Sequence, residues 1–152
     1  MIYLMIAEEW TDLIDEATLQ QAAMATLAHQ GRSADEIDLS IAIEDDIALH
    51  QLNHEFLGID APTDVLSFGS EEIDPDSGRL YLGDIIISLP RARAQAETAG
   101  HALAAELQLL VTHGTLHLLG HDHAEIDEKD RMWNAQRQIL TQLGCHLAKF
   151  PD

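Results

Sequence analysis

Four of the nine histidines fall within eleven residues, His113-Gly-Thr-Leu-His117-Leu-Leu-Gly-His121-Asp-His123. His113 and His117 stand four apart, so a helix projects both from one face. Gly120 supplies a helix stop, and a turn after it returns His121 or His123 toward that face. Three neutral imidazoles converging on one point form a ligand set for zinc or a similar borderline metal. Three protein ligands leave one coordination position open to water, as in catalytic rather than structural zinc sites. One pair at this spacing is unsurprising among nine histidines, but a pair followed by a helix stop and His-Asp-His is harder to assign to chance. Gly114 stands where the H-E-x-x-H protease motif carries its glutamate base, so this is not that motif. A glycine inside a helix costs about 1 kcal/mol relative to alanine. Its presence predicts close approach by another backbone or by substrate.

The elements that must carry these residues can be traced along the chain. Ile2 to Ala7 reads as a strand. It is short, ends in Glu8-Glu9 and lacks a basic flank and a cleavage signal, so a strand is expected rather than a signal peptide. Helical spacing of Leu19, Ala22, Ala23 and Leu27 predicts a helix from Ala17 to Gln30, stopped by Gly31. Asp38 to Glu44 alternates as a half-buried strand does. Asp45 or Asp46 caps a helix carrying Ile47, Leu49, Leu52 and Phe56. Gly58 to Pro62 is a turn, and Thr63 to Phe68 a strand. Gly69 to Arg79 is the loosest stretch, with its turn at Asp74 to Gly78. Leu80 to Ile87 is nearly continuous in apolar and β-branched residues, which predicts a central strand. Ser88 and Pro90 open a helix to Gly100. Leu103 to Leu119 is the most apolar helix and carries the first two motif histidines. Ile126 to Leu143 is a final amphipathic helix ending at Gly144. Strands mixed with helices over short connections predict an α+β or α/β sheet with helices packed on it.

The chain of 152 residues reads as one domain. The single Cys145 permits no internal disulfide and supports no cysteine-based zinc site. A reducing, cytoplasmic setting fits, and no segment approaches a membrane span. There are 27 acidic against 8 basic residues, for a net charge of −19. That balance argues against a broad phosphate-binding surface. Nucleic-acid chemistry would need a local basic spot, the metal's own charge or a presenting partner.

The histidine stretch resembles the signature of the YbeY family of bacterial metal-dependent endoribonucleases. Leu52-Asn53 through Pro62-Thr-Asp-Val-Leu-Ser-Phe68 resembles the family's second signature, and Leu82-Gly-Asp-Ile-Ile-Ile87 its central strand. The likeness runs from Leu52 to His123 in family order. It implies an α+β fold, with a small mixed β-sheet of about four strands covered by about five helices and the metal at the mouth of a cleft. It implies one zinc ion on His113, His117 and His123. His121 falls where the family often has Tyr or His. The implied activity is a single-strand-specific endoribonuclease in 16S rRNA maturation and ribosome quality control. The implied partners are RNA rather than DNA, the small ribosomal subunit and an assembly GTPase, with no membrane. One departure stands out: the family usually carries an arginine after the aromatic of the Leu-Asn motif, where this chain has Leu57. Arg79, Arg91 or Arg93 could substitute for it.

Metal-assisted hydrolysis of a phosphodiester is the chemistry expected of such a site, the zinc lowering the pKa of its water toward ~7. Asp122 could orient an imidazole or take a proton, or could be a turn aspartate. His121 could donate to the leaving oxygen, or could be a wall residue. Asp64, Asp84, Thr63 and Ser67 read as strand-end hydrogen-bonding residues, and His50 and His54 as a solvated face. Trp133 and Met132 read as core or partner surface. Two rivals share these residues: a peptidase-like zinc hydrolase, and a non-catalytic assembly factor with a structural metal.

Overall fold

The computed structural model describes residues 1–147, which leaves Lys149 outside the described residues. Four strands, β1 (Ile2–Ile6), β2 (Ile37–Glu44), β3 (Val65–Ile73) and β4 (Leu80–Ser88), form one mixed open sheet in the order β1-β2-β4-β3. β1, β2 and β4 run parallel, and β3 returns antiparallel on β4. The helices are α1 (Glu16–His29), α2 (Asp46–Leu57), α3 (Leu89–Ala99), α4 (Leu103–Leu118) and α5 (Ile126–Gln142), with a 3-10 helix at Glu8–Leu13. The fold is α+β, as the mixture of elements predicts.

Local chemistry sets most boundaries. Asp15, Asp45 and Ser88 each accept a main-chain N–H from the first turn of the helix they open, at Ala17, Ala48 and Arg91. Such caps satisfy donors that a helix start leaves orphaned. β4 is interior, paired with β2 on one side and β3 on the other, as its continuous apolar run predicts.

Two expectations fall short. β2 alternates in sequence yet is buried on both faces from Leu39 to Ile43 except where its ends emerge. Its polar alternates are small, and the Ser40 hydroxyl is satisfied by Tyr81 Oη at 2.6 Å, so the second face can be covered. β3 continues to Ile73 rather than stopping at Phe68. Its outer half carries Ser70, Glu71 and Glu72 around a break in register. Charges and irregular pairing are tolerated on an edge strand, and they made this half look like loop.

α4 is the organising helix. It touches α1, α3, α5, β3 and β4. Leu107, Leu110 and Val111 join Leu19, Ile41 and Ile85 in the main core. At Gly114 a Cβ would lie 2.9 Å from Ile85 Cγ2 and 3.2 Å from Ser67 Oγ. A close approach does explain the glycine, but the neighbours are side chains of the sheet, Ile85 and Ser67, rather than the backbone or substrate expected. Ser67 Oγ donates to the Gly114 carbonyl at 3.2 Å across the same contact. Gly114→Val overpacks this contact and should lower the unfolding free energy by about 1–3 kcal/mol. The readout is a lower urea midpoint at constant slope; an unchanged midpoint would contradict the close contact.

Candidate metal centre

The helix stop is built as the sequence predicts. Gly120 sits at φ 99°, in the left-handed region. Its N–H bonds the His117 carbonyl at 3.0 Å, and the His121 N–H reaches the Leu116 carbonyl at 3.0 Å. This is a Schellman turn. It reverses the chain so that His123 returns over the face carrying His113 and His117. One ligand-type nitrogen from each of the three rings lies within 4.8 Å of the others.

The hydrogen bonds on the far side of two rings decide what the cluster is. His113 Nδ1 lies 3.0 Å from Gln136 Oε1 on α5. His117 Nδ1 lies 2.9 Å from the main-chain oxygen of His121. Oxygens of this kind only accept, so both Nδ1 atoms carry the ring hydrogen. In neutral rings each Nε2 is then a bare lone pair, and these two lone pairs face each other at 3.1 Å. Burial, with His117 beside it, pushes His113 down to about 4. Burial also lowers His117, with the charge of His123 adding to it. Neither ring brings a second proton to that gap at neutral pH. A divalent cation fits the gap, and three imidazole nitrogens are a donor set that zinc accepts.

The surroundings come from three elements. From α5, Trp133 stands edge-on to His113 and His123, with ring centroids 5.8 and 5.5 Å away. Lys129 Nζ lies 5.5 Å from the indole centroid. Met132 beside it is fully buried in a second cluster with Leu116 and Ile139. Across from α5, the start of β3 borders a cleft of about 440 Å³ shared with the three histidines. Thr63, Asp64, Ser67 and Gly69 line it, with Leu57.

The remaining candidates lie elsewhere. His121 turns its Nε2 to Oε1 of Gln30, the residue that ends α1, at 2.7 Å, so the structure does not bring it to the cluster as a proton donor. Asp122 Oδ1 accepts the His123 N–H at 2.7 Å, the role of a turn aspartate. His50 pairs with Asp60 at 2.7 Å. Asp84 accepts a short hydrogen bond from Tyr81 Oη, on the sheet. Arg79 is held by Asp38 at 2.8 Å and by main-chain carbonyls, and holds the Asp38 carboxyl down to about 2. Arg91 is held by Asp46 at 2.9 Å. None of the three candidate arginines lines the cleft.

Sequence reasoning missed Gln136 and undervalued Asp64. Gln136 stands 23 residues from its partner on an amphipathic helix. Nothing local distinguishes it except that it sits on the buried side of α5, beside Met132 and Ala135. Asp64 is the carboxylate of the cleft lining, next to a strand start where an acid reads as a hydrogen-bonding end residue. Gln136→Leu leaves the His113 N–H without an acceptor and frees the tautomer. Zinc affinity, measured by competition with a chelating dye, should fall about 10- to 100-fold. An unchanged affinity would remove Gln136 from the site.

The fold resembles the solution structure of TM1509 from Thermotoga maritima, with a TM-score of 0.58 at 21% identity, covering 100% of this chain and 97% of that one. A Desulfitobacterium hafniense (strain Y51) protein named Endoribonuclease YbeY is 41% identical over 132 residues, 83% of this chain and 84% of its own length. A Roseiflexus castenholzii protein of the same name is 40% identical over 150 residues, 95% of this chain and 93% of its own. Residues 5–144 match the family model described as Endoribonuclease YbeY. The match runs from within β1 to the residue that ends the α5 turn, and so the chain belongs to the Endoribonuclease YbeY family.

Proposed function

We propose that this chain is a metal-dependent endoribonuclease that cleaves single-stranded RNA, with zinc held by His113, His117 and His123. The carrying observation is the pair of unprotonated Nε2 atoms facing each other at 3.1 Å with His123 returned beside them. Among the described residues this group has three members, short of the four that close a structural zinc site. On the family resemblance we extend the reading to 16S rRNA maturation and quality control in the cytoplasm, on the small ribosomal subunit and with an assembly GTPase. The names of the relatives supply the substrate class.

Bound there, a divalent ion supplies Lewis acidity, lowering the pKa of a water and polarising a phosphoryl oxygen. The protein's own groups do the rest. Gln136 and the His121 carbonyl hold two ligand rings in the tautomer that presents Nε2. Trp133 screens His113 and His123 from the α5 side. Asp64, anchored through Oδ1 to the Val65 N–H at 2.8 Å, offers its carboxylate to the cleft as proton acceptor. Gly114 offers no such group, which disfavours the peptidase reading.

Zinc-loaded protein should cleave a labelled single-stranded RNA oligomer, leave the duplex and casein intact, and lose activity to a chelator. His113→Ala with His117→Ala should abolish zinc retention and cleavage together. Asp64→Asn should keep its zinc and lose about 10²–10⁴-fold in kcat. RNA cleavage that survives the double histidine replacement would overturn the proposal, and casein cleavage without RNA cleavage would favour the peptidase.

A further inference from the structure

A phosphodiester at the histidine cluster carries negative charge, and among the described residues no lysine or arginine lines the cleft. Leu57 is among the lining residues. Arg79 and Arg91 are engaged by Asp38 and Asp46. The chain as a whole carries −19. Lys129 stands over Trp133 on the α5 side, so the β3 side must meet an anionic substrate with neutral donors, and β3 has them.

β3 is the last strand of the sheet. The Asp64 carbonyl accepts the Ser88 N–H at 2.9 Å, which marks Asp64 and Ser88 as a hydrogen-bonded pair. The register continues through Leu66 opposite Ile86 and Phe68 opposite Asp84. Antiparallel pairing alternates. Leu66 and Phe68 thus turn their N–H and C=O groups to β4, while Val65, Ser67 and Gly69 turn theirs outward. The Val65 N–H is taken by Asp64 Oδ1. Those of Ser67 and Gly69 face the side where no strand lies. Leu66 and Ser67 project to opposite faces of the sheet, yet both line the cleft. The cleft therefore runs along the strand's edge. The Ser67 hydroxyl is turned away to the Gly114 carbonyl. At Gly69 nothing lies within 4 Å of where a Cβ would be.

We propose that the outward N–H groups of Ser67 and Gly69 on the free edge of β3 bind the phosphodiester oxygens of single-stranded RNA and hold the strand beside the histidine cluster in place of a cationic side chain. The proposal rests on the nuclease reading and adds its substrate-binding element. Sheet edges make anion-binding concavities, and an N–H to an anion is a charge-assisted bond. The two donors are about 6.8 Å apart along the strand, close to the repeat of an extended sugar-phosphate chain. Main-chain donors read phosphate rather than base, so recognition along this edge is indifferent to sequence.

Proline removes one N–H and is tolerated on an edge strand where that N–H faces outward. Alanine at the same place keeps the N–H and has room. On a labelled single-stranded RNA oligomer, zinc-loaded Gly69→Pro should show a kcat/KM about 10- to 100-fold below that of Gly69→Ala, at matching zinc content and melting temperature. Equal values in two folded, zinc-loaded variants would overturn the proposal. A second measurement needs no variant. Single-stranded RNA added to the metal-free wild type, which does not hydrolyse it, should move the amide proton signals of Ser67 and Gly69 downfield. Signals that stay in place, or that respond to an extended peptide and not to RNA, would also overturn it. Amides that respond to RNA in a protein that fails to cleave it when zinc-loaded would retain the phosphate site and remove the nuclease.

Discussion

α4 lies as near the sheet as a helix can with no side chain at position 114, and the site depends on that contact. A Cβ there would come within 2.9 Å of the Ile85 side chain. The contact sets the height of His113 and His117 above the β3 edge, because both flank Gly114 on a rigid, mostly buried helix. The same seat lets Ser67 reach across to the helix carbonyl, tying the edge strand to the helix that carries the histidines. A larger residue would disturb two features at once, the ring positions and the width of the cleft. The glycine thus does by absence what the neighbouring imidazoles do by chemistry.

A second constraint works on the rings themselves. Gln136 and the His121 carbonyl take the Nδ1 hydrogens, and this leaves the Nε2 lone pairs opposed. Two bare lone pairs 3.1 Å apart repel, so the protein holds an unfavourable arrangement that a cation relieves. The Schellman turn at Gly120 then brings His123 back without a long loop. Preorganisation of this sort lowers the entropic cost of closing three side chains on one ion.

Much of this was legible in the residues. Spacing predicted the helix, the stop and the returning histidine. It left His121 and His123 as alternatives, because both follow the turn and only the fold shows that His121 leans on Gln30 at the end of α1. The cost of a mid-helix glycine predicted a close neighbour but could not name Ile85, which is contributed by a distant strand. Gln136 was invisible for the same reason: its role exists only when α5 packs on α4. The outer half of β3 was hidden by its charges, since an edge strand with one exposed side carries the composition of a loop. The −19 charge argues against a broad basic surface for RNA, and the proposed main-chain donors and metal would meet an anion without one.

The central claim is an open three-histidine metal centre. X-ray absorption at the zinc edge of the loaded protein tests it most directly. The expected spectrum is that of one zinc per chain with three imidazole nitrogens and one further light-atom donor from solvent, at about 2.0–2.1 Å. Two or fewer imidazoles, or a fourth protein ligand closing the shell, would contradict it.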